Sequence, residues 1–214
     1  MHTIKNKKIL ILIMSIYFYL CVLMVKICLD YFPWQPDTNF LALKQDVVST
    51  QPWRFAFQVH VIVSSLVLIA GFTQFFSQIR QKFPKTHRYS GWLYILSVFI
   101  FALPSGFIMA FSAAGGWQTQ LCFIILSILW GVSTSIALDK IIKKDWLAHR
   151  DWMIRSFALA LSALSLRTWK IILYQLQPYF DWLTPLHIYQ LEAWLGWSIN
   201  LLIAESIIFK LHQK

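Results

Sequence analysis

Residues 87–111, HRYSGWLYILSVFIFALPSGFIMAF, decide how the rest of the chain is read. After the opening His-Arg pair the stretch carries no polar stripe at helical spacing, so it has no face to turn toward water. About 20 largely apolar residues in a row are what a helix needs to cross a bilayer. Pro104-Ser105-Gly106 interrupts the run and predicts a kink, tolerated where neighbouring helices satisfy the freed backbone groups.

Comparable runs recur along the 214 residues, with polar residues gathered between them. The chain is 58% hydrophobic and 13% charged, more apolar than a soluble core of this size requires. The expected fold is therefore all-α, an integral membrane helical bundle. Six transmembrane helices are expected at about 9–28, 55–77, 92–112, 119–138, 152–174 and 191–209, in a single domain over 1–214. ILILIMSIYFYLCVLMV at 9–25 follows three lysines, as a secretory signal would. It exceeds the length of a signal core and no small-x-small site follows, so it is expected to remain as an anchor.

A net charge of +10 would suit a nucleic-acid partner if it formed one patch, but it does not. Basic residues gather at Lys5, Lys7 and Lys8, at Arg80, Lys82, Lys85 and Arg88, at Lys140, Lys143, Lys144 and Arg150, and at Lys210 and Lys214. Thirteen of the nineteen Lys and Arg residues thus fall in alternate connections, the distribution that positive-inside orientation produces. Both termini are then expected in the cytoplasm, the partner is the lipid bilayer, and no nucleic acid is implied. Trp92, Trp117, Trp152, Trp182 and Trp194 sit near expected span ends, at headgroup depth.

On the outer side, residues 30–54 form the longest loop, with FLALKQDVV at 40–48 as a candidate interfacial helix, and Gly115-Gly116 suits a tight turn. Cys21, Cys28 and Cys122 show no metal or disulfide spacing and are expected to pack. Neither a C-x-x-C-H haem attachment nor a GxSxG, HExxH, P-loop or dinucleotide motif occurs, so no residue is assigned a catalytic role.

Ionisable residues inside spans are expensive and are candidates for function. Arg155 and Arg167 lie on the fifth span, twelve residues or about 18 Å of rise apart, and so belong to different halves of the bilayer. The antiparallel sixth span offers Glu205 at the depth of Arg155 and Glu192 near that of Arg167, which would give two structural ion pairs. Ser156, Ala160 and Ala163 form a small-residue stripe for close helix packing.

His87 and His149 precede spans that both start from the cytoplasm, so the two imidazoles share a depth if those spans are neighbours. A haem b held by both is one reading, with Arg88, Arg150 and Arg155 as propionate partners; the same two histidines are then the metal ligands. The other reading is a pair of headgroup-level helix starts. A hydrated zinc site would add Asp145 or Asp151. His60, about a turn inside the second span, needs a buried partner, with Arg167, Gln118, Gln120 and His187 at similar depth. A second haem between His60 and His187 is a further candidate, while His2 and His212 read as solvated tail residues.

GFTQF at 71–75, HRYSGWLY at 87–94, LW at 129–130 and AHRDWMIRSFALALSALSLR at 148–167 resemble a bacterial family of predicted multi-pass membrane proteins, domain of unknown function 2306. The resemblance covers His60 to Arg167. It implies a bacterial inner-membrane location and places His60, His87, Arg88, His149, Arg150, Trp152, Arg155 and Arg167 at motif positions. It implies no activity. A looser similarity to b-type cytochromes concerns only histidines at equal depth on neighbouring helices.

Two functional classes follow. One is haem-b binding with transmembrane electron transfer at His87 and His149. The other is a non-redox transporter, or a lipid- or partner-binding membrane module, with a polar cavity around Arg155, Arg167 and His60. A structural subunit of a larger complex is the third possibility.

Overall fold

The computed structural model describes residues 7–75 and 77–213, so His2, Lys5 and Lys214 lie outside the described residues. It is helical, with no strand among the described residues. The helices are α1 (Lys7–Leu29), α2 (Trp53–Thr73), α3 (Ser77–Lys82), α4 (Pro84–Leu96), α5 (Leu103–Ala110), α6 (Trp117–Ile142), α7 (Trp146–Ala160), α8 (Ser162–Leu176) and α9 (Pro185–His212).

Four helical runs are long and apolar enough to cross a membrane: Trp53–Thr73, Pro84–Ala110, Trp117–Ile142 and Pro185–His212. The pair α7 and α8 makes a fifth if it is one broken span. The apolar part of α1, Met14–Leu29, is shorter than these.

Two expectations are corrected locally, and a third, the interruption near Pro104, takes the form of a π turn. The fifth span is not one rod but two helices bent by 43° at Leu161. The Ser156, Ala160 and Ala163 stripe therefore straddles a bend. In the third span Pro104 lies inside a continuous run, because a π-helical turn at Ser97–Ala102 precedes it and the Leu103 N–H reaches back to the Val98 carbonyl. The wider turn absorbs the hydrogen bond that proline cannot make. Segment 40–48 is a short 3-10 turn, Asn39–Leu43, rather than an interfacial helix; Leu41, Lys44 and Val48 behind it are buried.

Packing explains the order of the bundle. Cys28, Tyr31, Leu41, Val48, Trp53 and Phe57 join α1, the loop after it and α2. Val67, Tyr94, Val98, Ala137 and Phe157 join α2, α4, α6 and α7 across the middle. Cys122, Leu159, Ala193 and Trp197 bring α9 against α6 and α7. α6 packs most extensively on α7, and α8 on α9. Gly115 and Gly116 turn the chain between α5 and α6 at φ +87° and +79°, a backbone region that other residues rarely adopt.

Candidate functional site

The polar side chains that the fold draws inward fall into two levels, one at the starts of α4 and α7 and one at the other end of the bundle. At the first level Pro84 opens α4 and Asp145 caps α7, its carboxylate accepting from the Ala148 N–H at 3.1 Å. His87 and His149 consequently lie in the first helical turns, not ahead of them.

The two imidazoles come within electrostatic reach of each other, with Arg80 also beside His87. His149 Nδ1 donates to the Ala137 carbonyl at 2.7 Å, which leaves Nε2 as the unprotonated nitrogen of the neutral ring. His87 Nδ1 is buried without a hydrogen-bond partner.

The arginines offered to propionates do not converge. Arg88 is exposed. Arg150 is held by Asp151 through contacts of 2.7 and 2.8 Å. Arg155 makes a bidentate pair with Glu205 at 2.6 and 2.8 Å, its guanidinium 4.5 Å from the Trp152 ring centre.

The side chains expected for a hydrated zinc site are not gathered among the described residues. Asp145 is engaged as a cap, Asp151 accepts from Arg150 and faces His212 Nε2 at 2.6 Å, and no cluster of three metal-ligating side chains occurs among the described residues. His212 is exposed, as expected, and also ties the end of α9 to the start of α7 through Asp151.

At the second level His60 points across to α5. The Ser105 hydroxyl donates to the Phe101 carbonyl at 2.6 Å, so at 3.1 Å its oxygen accepts from His60 Nδ1. A Cβ on Gly106 would sit 3.2 Å from the His60 ring, so this glycine leaves room for the imidazole. Just beyond the π turn, Ser105 thus supplies a partner and Gly106 a space. His187 does not meet His60: its Nδ1 lies 3.1 Å from Thr184 Oγ1 and 2.5 Å from the Trp182 carbonyl.

Arg167 is an electrostatic neighbour of His60, Cys28, Tyr31 and Glu192. Among the described residues its guanidinium makes one hydrogen bond, from Nη1 to the Ala163 carbonyl of its own helix at 2.5 Å. Glu192 is 2% exposed and its Oε2 has no hydrogen-bond partner. Arg167 and Lys170 influence it electrostatically, yet neither forms a salt bridge with it. A partly buried cation with donors to spare and a buried carboxylate with an orphaned oxygen lie near each other without touching.

Sequence reasoning missed two other features. Tyr94 OH and Thr134 Oγ1 each lie 2.7 Å from Ser156 Oγ, and Trp130 Nε1 donates to Tyr94 OH at 3.2 Å. This buried network is fully paired, which marks it as packing glue between α4, α6 and α7. Asn200 Nδ2 donates to the Ala158 carbonyl at 3.1 Å, and Asn200 Oδ1 accepts from Ser165 at 2.9 Å, so α9 staples both sides of the bend. The signal was available, since Asn200 is a polar residue inside an apolar span, but it carries no charge.

Residues 57–208 match the model of a family described as predicted membrane proteins, domain of unknown function 2306. Neither a curated protein nor a solved structure matches the chain.

Proposed function

Because the chain belongs to this family of predicted membrane proteins, we propose that it is a non-redox, transporter-like membrane module whose polar site is formed by Arg167, Glu192 and His60. The observation that carries the reading is the open pair. A bundle that only had to cancel charge would close Arg167 on Glu192 as it closes Arg155 on Glu205. Ionisable groups held apart at depth in a span mark solute and ion pathways. A helix broken at Leu161 beside them is the element that such sites use. Arg155, engaged by Glu205, drops out of the cavity expected from the sequence. Six spans, both termini in the cytoplasm and residence in a bacterial inner membrane belong to the same proposal; they rest on the alternation of basic connections and on the family.

The test is access of water. In a chain with Cys21, Cys28 and Cys122 replaced by serine, Glu192→Cys should react with a membrane-impermeant thiol reagent added from outside. Thr134→Cys, within the closed Tyr94–Ser156 network, should not. A Glu192→Cys as inert as Thr134→Cys would remove the reading.

Haem b between His87 and His149 stands second. It draws on the His149 Nδ1 bond to Ala137, which orients a free Nε2 as second-shell bonds orient ligating histidines. The engaged arginines weigh against it. Purified protein expressed with ample haem would show a Soret band that His149→Ala removes; colourless protein ends this reading.

A further inference from the structure

Taking Arg167, Glu192 and His60 as a binding site, we infer that its solute is a small anion and that Glu192 takes up the proton that accompanies it. The guanidinium has five N–H donors and uses one on Ala163, leaving the planar fork that binds carboxylates and similar anions through two bonds. Its other neighbours, Cys28, Tyr31 and His60, bring no resident anion to it. The Cys28 thiol is itself occupied, 3.3 Å from both the Val61 carbonyl and Ser65 Oγ.

Glu192 supplies the switch. It is the buried carboxylate of this level, with Oε2 unpartnered, and it recurs with Gly196, Asn200 and Ala204 at four-residue spacing along α9. The charged or titratable groups around it are few. α8 brings Arg167 and Lys170, α9 itself Tyr189, and α6 Cys122, which accepts from Trp197 Nε1 at 3.2 Å. Beyond Arg155, α7 carries no titratable side chain as far as its end at Ala160.

An anion on Arg167 and an ionised Glu192 would compete for one cation and repel each other in a medium of low dielectric. Arrival of the anion therefore drives a proton onto Glu192, converting carboxylate to carboxylic acid. Its departure lets Glu192 ionise again, the proton returning to solvent. The two states carry equal net charge, no bond other than O–H forms or breaks, and no electron moves.

The experiment follows proton uptake in the purified full chain, in weakly buffered detergent with a pH-indicator dye, as sodium acetate or sodium nitrate is added. Wild type should take up one proton for each anion bound, with binding read independently from the rise in melting temperature. Glu192→Gln should bind the anion without the proton, Glu192→Asp should keep both, and Arg167→Gln should lose both. Anion binding by wild type without proton uptake overturns the inference, as does uptake that persists in Glu192→Gln. If neither salt binds while Glu192→Cys is labelled from outside, the inference fails and the polar site stands. If neither salt binds and Glu192→Cys stays unlabelled, both fall.

Discussion

Two arginines of one broken helix meet acidic residues of the same partner helix with opposite results. Arg155 and Glu205 close into a bidentate pair, whereas Arg167 and Glu192 stay apart inside the bundle. Both pairs match in depth, so depth is not what separates them. Direction around the helix is. At ~100° per residue, Leu166, eleven positions beyond Arg155, returns to nearly the same azimuth, and Arg167 lies another ~100° on. Leu166 is indeed the residue against α9: a Cβ on Gly196 would stand 3.3 Å from the Leu166 backbone. Arg167 is turned toward α1 and α2, and the 43° bend at Leu161 separates the two levels further. One signature, Arg on one span and Glu on the next, can build a lock or a site.

The largest effect expected is on the lock. Glu205→Gln leaves Arg155 unmatched and should lower unfolding stability by about 2 kcal/mol. That is below the ~3–5 kcal/mol of a fully buried pair, because the Glu205 side chain is 46% exposed. Reversible unfolding in mixed micelles measures it, and an unchanged midpoint would erase the contrast between the levels. Next comes the staple over the bend. Asn200→Leu removes the bonds to Ala158 and Ser165 and should cost ~1 kcal/mol, at about 0.6 kcal/mol for each intramembrane hydrogen bond. A stabilised Asn200→Leu would mean that the bend needs no support from α9.

A third substitution tests the site. Arg167→Met should change stability by no more than ~0.5 kcal/mol in either direction, since replacing a poorly paired buried charge with an apolar side chain is often neutral or stabilising. A loss as large as that of Glu205→Gln would show that Arg167 is a structural cation, and the distinction between lock and site would be gone.

Hydropathy made the membrane class legible because lipid selects whole runs of residues, and no single side chain decides the matter. It located α2 and α6 to within a few residues, yet it set the start of the third span at 92 where the helix begins at Pro84, and of the sixth at 191 where α9 begins at Pro185. Hydropathy reports where lipid lies, not where hydrogen bonding starts. The bend at Leu161 was illegible because LALSALS contains neither proline nor glycine. The candidate site was half legible. The cost of burying charge singled out Arg155, Arg167, His60, Glu192 and Glu205, but helical rise gives only depth, and pairing also depends on azimuth. His212 is solvent-facing, as a residue near the chain's end reads, but its contact with Asp151 becomes visible only once the partner helix α7 is known.

A third cation, this one buried, sharpens the contrast at the smallest scale. Lys44, in the loop between α1 and α2, is 3% exposed but has found its acceptor, donating from Nζ to the Ser112 carbonyl just beyond α5, with the Phe40 ring 5.8 Å away. Burial pulls its ammonium below the ordinary lysine range, while Asp46 acts weakly in the opposite direction. The folded chain therefore releases this proton at lower pH than the unfolded chain does. Between the depressed value and the ordinary one near ~10.4 the unfolded state holds more protons, so stability must rise with pH across that window. The size of the gain follows the difference between the two pKa values. Melting temperatures of wild type and Lys44→Met, compared from about pH 8 upward, isolate it: wild type should gain on the variant as pH increases. A difference that shrinks instead would mean that the bond to Ser112 needs the charged ammonium. Lys44 would then resemble the closed Arg155 lock, whereas a rising difference makes it a cation that its surroundings tolerate only because a carbonyl is in reach. Among the described residues Arg167 has no such acceptor beyond its own helix, which is why an external anion is the partner its position calls for.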